Sequence, residues 1–87
     1  MDYGELNERI IVSAVFAPGS NVCRPIKFKR KNGREISITE IGLIHPKHDG
    51  LKTRHVFDVT DGLADYRLEF DSETLVWRLK AEGDKYE

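Results

Sequence analysis

Alternation between apolar and polar residues dominates this chain from residue 24 onward, and it restricts the possible folds more than any other feature. Apolar residues, mostly β-branched or aromatic, occupy every second position in successive segments, which is the pattern of strands with one buried face. Turn-forming residues separate the segments, at Asn32-Gly33, Pro46 to Gly50, Asp61-Gly62 and Asp71 to Thr74. The pattern predicts an all-β fold built from consecutive antiparallel hairpins.

The segment before residue 24 also fits a helix, because Leu6, Ile10 and Ala14 follow helical spacing. The run Ile10-Ile11-Val12 favours a strand instead, and Pro18-Gly19 ends either element. We therefore predict a strand that is buried on both faces. Six strands in a small barrel or roll limit the number of open edges. Their expected ranges are 8–17, 24–31, 34–44, 53–60, 63–71 and 75–80.

Hairpin registers follow from the requirement that residues paired across two strands share a face. A two-residue type I′ turn at Asp61-Gly62 pairs Val59 with Ala64 and keeps the apolar residues on one face. A four-residue loop over 71–74 sets Phe70 opposite the first residue after the loop. Both loops satisfy the apolar pattern.

The Asn32-Gly33 dipeptide would mix the two faces if it formed a two-residue turn. A three-residue loop over 31–33, with a left-handed Gly33, restores the pattern and places Phe28 opposite Ile36. The phase of the apolar residues changes further along the same strand. A bulge or bend near Thr39-Glu40, where the strand turns a corner, accounts for that change.

The chain has 87 residues, of which 39% are hydrophobic, and this size corresponds to one domain spanning 1–87. Residues 1–5 and 82–87 are expected to be frayed. The single Cys23 excludes an internal disulfide, and together with the absence of a leader-like segment or a long apolar run it indicates a cytoplasmic protein that does not span a membrane. The predicted core consists of Phe16, Ile26, Phe28, Ile36, Ile38, Phe57, Val59, Tyr66, Leu68, Phe70, Trp77 and Leu79.

Charge is unevenly distributed along the chain, although the net charge is −1. Residues 1–23 carry one cation against three carboxylates, residues 24–55 nine against three, and residues 56–87 four against nine. Such a division indicates a basic face for an anionic partner, or two faces that attract each other in an assembly. If strands from these blocks interleave, the charges mix instead.

Most cations of residues 24–55 fall in the predicted hairpin of strands 24–31 and 34–44, which we call the basic hairpin. Lys27 and Lys29 share its outward face. Lysine and arginine at such a place can contact phosphates, although they can also be solvated residues that protect a sheet edge. Proteins that bind single strands also use exposed aromatic residues for base stacking. The aromatic residues of this chain are predicted to lie in the core or near the termini. The candidate nucleic-acid or anion-binding residues are Arg24, Lys27, Lys29, Arg30, Lys31, Arg34, Lys47, Lys52 and Arg54.

Metal-ligating residue types also cluster, since His45, His48 and His55 lie near Asp49 in sequence and Cys23 is the only thiol. The histidines fall in a predicted loop and at a strand start, and their spacing matches no zinc motif. Asp49 and the following glycine are better explained as turn residues. We therefore expect no metal site and no cofactor.

No arrangement of nucleophiles and bases predicts an enzyme. Cys23 is typical of a small apolar filler, and Ser20 and Ser37 lack the partners of a catalytic triad. Asp58 and Asp65 would face each other across a hairpin as exposed like charges, and the sequence implies no pocket around them of the kind that acid–base catalysis uses. We expect no catalytic residues.

Four spaced motifs span residues 24–79: Arg24-Pro25-x-x-Phe28, Gly33-Arg34-x-Ile36-x-Ile38, Phe57-x-Val59, and Tyr66-x-Leu68 to Trp77-x-Leu79. Together they resemble a family of small bacterial all-β domains of unknown function, which occur alone and, in actinobacteria, in association with Y-family DNA polymerases. The resemblance implies a fold and no catalytic residues. The chain departs from that family where Arg30 and the Ile44-His45-Pro46 region replace aromatic residues.

These observations favour a non-enzymatic binding module whose partner is nucleic acid or another polyanion. An acidic protein is also a possible partner for the basic hairpin. The alternative is a protein-interaction or self-assembly module, which would use an exposed sheet edge and the acidic C-terminal half. In that case Val56 and Val76, which are predicted to point outward, would contribute an apolar patch.

Overall fold

Seven antiparallel strands form a single sheet that curls into a half-barrel. The structure is a computed structural model that describes residues 4–18 and 23–84, and these residues contain no helix able to cross a membrane. The sheet order is β3-β2-β1-β7-β6-β5-β4. The all-β prediction is confirmed, with seven strands instead of six. The strands are β1 (Gly4–Val15), β2 (Arg24–Lys29), β3 (Glu35–Ser37), β4 (Glu40–Asp49), β5 (Lys52–Thr60), β6 (Ala64–Asp71) and β7 (Val76–Asp84).

The extra strand arises because the third predicted strand is divided at a corner between β3 and β4. The N–H of Ile38 donates to the Ile26 carbonyl at 2.9 Å and so continues the β2 ladder. The N–H and hydroxyl of Thr39 donate to the Thr60 carbonyl at 2.9 and 3.1 Å and so begin the β5 ladder. This corner connects the two ends of the strand order, and the predicted bend at Thr39-Glu40 is confirmed.

The core occupies the concave face of the curled sheet. Stacked rings form its centre, where Trp77 lies 4.6 Å from Phe70 and 5.3 Å from Phe57 between ring centroids. Ile38 is only partly buried and packs against this cluster. The predicted core residues that the structure buries are Phe28, Ile36, Phe57, Val59, Tyr66, Leu68, Phe70, Trp77 and Leu79.

The core prediction is wrong for Phe16 and Ile26, whose exposed fractions are 64% and 41%. The β1–β2 register passes from Lys27 directly to Pro25, so Ile26 is the extra residue of a β-bulge. Pro25 takes the inward position, as prolines tolerated at bulges do. Phe16 lies one residue beyond the end of β1 and stays outside the core.

The first strand has one buried face, so the prediction that both faces are buried is wrong. Ile10 is 6% exposed, whereas the neighbouring Ile11 is 73% exposed. Within the described ends, Gly4 of β1 pairs with Glu82 of β7, so both residues belong to the sheet. Residues 1–3 and 85–87 lie outside the described residues.

Val56 does lie on the convex face, but it is 3% exposed and offers no patch there.

The three-residue loop after β2 is confirmed, with Phe28 opposite Ile36 and Gly33 at a φ of 90°. The other two predicted registers are wrong, because β5–β6 pairs Val59 with Tyr66 and β6–β7 pairs Phe70 with Trp77. Each pairing is displaced by an even number of residues, so the apolar residues still share one face.

Candidate anion-binding surface

The structure separates the predicted cationic residues into two groups. Residues 24–34 belong to the β2–β3 hairpin, and residues 47–54 belong to the β4–β5 hairpin. These hairpins stand at opposite ends of the strand order. The nine candidate cations therefore do not form one continuous row along neighbouring strands.

Arg24, Lys27 and Lys29 form an exposed row along β2. Lys27 and Lys29 occupy alternate positions and so project from the same face about 7 Å apart along the strand. The Lys27 Nζ lies 3.8 Å from a Glu35 carboxylate oxygen, but both side chains are about half exposed. Such a solvent-exposed ion pair is weak, so it leaves Lys27 available to another anion.

Arg30 differs from these cations because its guanidinium already binds two carboxylates. It donates to Glu8 at 2.8 and 3.3 Å and to Glu82 at 2.8 Å, and only 14% of its side chain is exposed. The hydrogen bonds from Arg30, and then that from the Lys31 N–H, lower the pKa of Glu8. Arg30 therefore joins β1, β7 and the β2–β3 turn and has a structural role.

The loop between β2 and β3 presents two further exposed cations, Lys31 and Arg34. Their backbone N–H groups are engaged, by Glu8 at 3.0 Å and by the Asn32 side chain at 2.9 Å, which fixes the loop while leaving the cationic side chains exposed. In the described part of the chain, neither side chain makes an ion pair. We call Arg24, Lys27, Lys29, Lys31 and Arg34 the β2 basic surface.

Phe16 is an exposed aromatic residue one position beyond the Arg24 end of the β1–β2 ladder. It directly follows Val15, which pairs with Arg24 across the β1–β2 ladder. Sequence reasoning missed this residue because an aromatic side chain near a strand end usually reads as core. The only available signal was its position just before Pro18-Gly19, where a strand cannot continue.

Two of the three cations of the second group form ion pairs with a buried carboxylate. The Lys47 Nζ and Arg54 Nε lie 3.9 and 3.6 Å from Glu69, whose side chain is only 8% exposed. Lys52 lies at the start of β5 and is exposed. Lys47 and Arg54 thus balance the charge of a residue on the convex face of the sheet.

The histidines are divided between the two faces of β4 and β5. His48 shares a face with Ile44, whereas His45 lies on the other face. Residues 45–49 belong to β4, so the prediction of a loop there is wrong, and Pro46 is tolerated because β4 is an edge strand. In residues 4–18 and 23–84, no group of three metal-ligating side chains forms a metal site.

The structure shows the surroundings of two candidate groups, the Cys23 thiol and the Asp58 carboxylate. Cys23 is buried, and burial raises the pKa of its thiol, which keeps it protonated. Asp58 does not face Asp65 as predicted, because the β5–β6 register sets it opposite Arg67, whose Nε lies 2.8 Å from its carboxylate. Ser20 lies outside the described residues.

A cleft of about 420 Å³ opens where β4 approaches the open end of the β1–β2 hairpin. Its walls include Val15 and Cys23 on one side and Ile41 and Ile44 on the other. Because β4 pairs only with β5, the backbone groups along its second edge lack a strand partner within the described residues. This cleft and edge form the second candidate binding feature.

Comparison with known proteins finds no matching family model, no similar curated protein and no similar solved structure. The resemblance to small bacterial all-β domains is therefore still a prediction.

Proposed function

We propose that this protein is a non-enzymatic module that binds single-stranded nucleic acid through the β2 basic surface and Phe16. The observation that carries the proposal is an exposed aromatic residue, Phe16, one position beyond the ladder end at which Arg24 begins a row of exposed cations. Proteins that bind single strands combine a cationic track for the backbone with aromatic rings on which bases stack. Phe16 supplies the exposed aromatic side chain that the sequence analysis did not find.

Electrostatics favours an anionic ligand at this place. The β2 basic surface presents five cations, and the Glu35 carboxylate is the acid that pairs with it, through Lys27. Contacts between these cations and phosphates release counterions, which supplies affinity without sequence preference. Arg30 supports the surface indirectly, since its bonds to Glu8 and Glu82 hold the β2–β3 turn against β1 and β7.

A ligand that contacts about four phosphates of a single strand gives a slope near −3 for log Kobs against log salt. Lys29→Gln is expected to make that slope shallower by about 0.7, because one phosphate contact is removed. Lys52→Gln is the matched control, since Lys52 is also an exposed lysine but lies outside this surface. Fluorescence anisotropy of a labelled oligonucleotide measures both slopes, and equal slopes in the two variants contradict the proposal.

Phe16→Ala tests the stacking role separately from charge. A stacked base is worth about 1–3 kcal/mol, so the variant is expected to bind a single strand roughly 5- to 150-fold more weakly while its duplex binding changes little. Its unfolding midpoint stays close to that of the wild type, because the ring is exposed. Unchanged single-strand affinity in a folded Phe16→Ala protein removes stacking from the proposal.

A protein-interaction role is the second candidate, and the free edge of β4 beside the 420 Å³ cleft favours it. An unpaired edge of this kind can accept a strand from another chain. Leu43, exposed on β4, allows a test: if copies pair through this edge, Leu43→Lys abolishes a dimer seen by sedimentation.

We propose the cytoplasm as the site of action, because the buried Cys23 is a free thiol.

A further inference from the structure

A second polar pocket, of about 460 Å³, lies on the convex face of the sheet, away from the core. Arg54, Arg78 and Lys80 contribute cations to its lining, and Glu69 and Asp71 contribute carboxylates. The lining also includes the Thr74 hydroxyl and the Asn7 amide among its neutral polar groups. Sequence analysis did not single out Arg78 or Lys80, because they fall in the acidic C-terminal block.

Both carboxylates of this pocket are already engaged by other groups. Glu69 holds Lys47 and Arg54 at 3.9 and 3.6 Å. Asp71 accepts hydrogen bonds from the N–H groups of Glu73 and Thr74 at 2.9 and 3.4 Å, which lower its pKa. The β6–β7 ladder sets Glu69 opposite Arg78, so this one carboxylate faces three cations and only partly balances the positive charge on the β7 side of the pocket.

Arg78 faces a second arginine across the sheet, because the β1–β7 ladder sets it directly opposite Arg9. Like charges in that arrangement repel, which destabilises the pair unless an anion lies between them. Lys80 adds a third cation on the same face and donates only to the neutral Asn7 amide, at 3.2 Å. Among the residues whose side chains the structure describes, no carboxylate lies within ion-pair distance of Arg9, Arg78 or Lys80.

We propose that this pocket binds a dianionic phosphate group, either inorganic phosphate or a small phosphomonoester. The Arg78 guanidinium would donate paired hydrogen bonds to the phosphate oxygens, and the Lys80 ammonium would add a second positive charge from the pocket lining, with Arg9 opposite Arg78 on the neighbouring strand. Arg78 is half-buried, so less of its positive charge is screened by water than on the β2 basic surface. The site is independent of the proposed nucleic-acid surface, since it uses other strands and other cations.

The first test is titration of the protein with inorganic phosphate against chloride at constant ionic strength, followed by calorimetry and thermal unfolding. A single saturable site with a Kd of about 1 mM, and a melting temperature that rises with phosphate, are expected. Arg78→Gln weakens phosphate binding at least about tenfold, since it removes charge-assisted hydrogen bonds. Lys52→Gln is the control and keeps the wild-type Kd, because Lys52 is exposed and belongs neither to the pocket lining nor to the β2 basic surface.

Repulsion between Arg9 and Arg78 gives a second readout that does not depend on affinity. In chloride, the melting temperature of Arg78→Gln is expected to equal or exceed that of the wild type, and its rise with phosphate is lost. Absence of saturable binding, or an Arg78→Gln protein that binds phosphate like the wild type, overturns the proposal.

Two further arms separate the sources of the phosphate group. Glycerol 3-phosphate binding more tightly than inorganic phosphate identifies a phosphomonoester, and the reverse order identifies free phosphate. An oligonucleotide without terminal phosphates tests independence from the nucleic-acid surface. If Arg78→Gln abolishes its binding, the pocket belongs to that surface and the proposal is wrong; if only Arg24→Gln and Lys29→Gln weaken it, the two sites are separate.

Discussion

At the scale of single residues, side-chain hydrogen bonds to the backbone determine where the hairpins turn. The Asp61 carboxylate accepts hydrogen bonds from the N–H groups of Leu63 and Ala64 at 2.8 Å. Asp61 is therefore the residue before the two central residues of the turn, and not one of them. Gly62 is then the first central residue, with a φ of 94°, as in a type II′ turn and not the predicted type I′. Asp71 acts in the same way before the β6–β7 loop.

Trp77 is the residue whose loss should cost most. It is 7% exposed and stacks on Phe70, so Trp77→Ala is expected to lower the free energy of unfolding by about 3–5 kcal/mol. A domain of this size has a total of roughly 4–13 kcal/mol, so the variant is close to unfolded. Urea unfolding measures the change, with the exposed Leu63→Ala as the control. A wild-type midpoint in Trp77→Ala contradicts the core assignment.

Leu75 adopts a conformation that leucine rarely takes, with a φ of 61° at the end of the β6–β7 loop. Left-handed backbone costs an L-residue about 1–2 kcal/mol, and glycine avoids this cost but loses about 0.5–1 kcal/mol to chain entropy. Leu75→Gly is therefore expected to stabilise the protein by about 0.5–1 kcal/mol, and Leu75→Val to destabilise it. Thermal unfolding that ranks Val above Gly would show that this backbone is not strained.

Residue-level prediction from sequence succeeded where periodicity alone decides burial, as for Phe28 and Trp77. It failed where local chemistry changes the phase. The bulge at Ile26 exposes an apolar residue and buries Pro25, and no alternation rule predicts which of two neighbours is inserted. The prediction for Phe16 was wrong because hydrophobicity does not show whether a residue just after the end of a strand is buried.

At the scale of elements, Arg30 connects three parts of the sheet that are distant in sequence. Its guanidinium joins Glu8 of β1 and Glu82 of β7 to the turn after β2. The sequence placed Arg30 among the anion-binding candidates, because sequence alone cannot show which carboxylates reach a cation. For the same reason, the sequence did not predict that Lys47 and Arg54 pair with the buried Glu69.

The Glu8–Arg30 pair gives the fold a defined pH dependence. The hydrogen bonds from Arg30 lower the pKa of Glu8 below its ordinary value of 4.5, so the carboxylate stabilises the folded state above that pH. This stabilisation is lost as the pH falls through the lowered pKa, because the folded state must then take up the proton. Glu8→Gln is expected to cost about 1–2 kcal/mol at neutral pH and progressively less in acid.

Urea unfolding of the wild type and Glu8→Gln between about pH 7 and pH 2 measures this difference. Glu73→Gln is the matched control, because Glu73 is exposed and its side chain makes no ion pair in the described structure. A deficit of Glu8→Gln that is independent of pH would contradict the assigned role of the ion pair.

At the scale of the whole molecule, the curl of the sheet decides how the charged blocks meet. β1 lies between the basic β2 and β7, which belongs to the acidic C-terminal block, so the blocks interleave and Arg30 pairs with a carboxylate from each neighbouring strand. The overall charge division therefore does not create two opposed faces. What persists is local: a basic row on β2 and an unbalanced group of cations around Arg78.

The global fold was more predictable than the candidate site for a physical reason. Strand alternation and turn residues are local properties, and an even slip in register leaves the buried face unchanged, as between Val59 and Tyr66. A binding surface depends on which side chains are left without partners after folding. That information exists only once strands distant in sequence lie side by side.

The most direct test of nucleic-acid binding is a backbone-amide NMR titration with a short single-stranded oligonucleotide, repeated at about 50 and about 200 mM salt. We predict shifts confined to residues 24–34 and the adjoining part of β1 with Phe16, which fade at the higher salt. Shifts that centre on β4, or a spectrum unchanged by the oligonucleotide at both salt concentrations, would contradict this account.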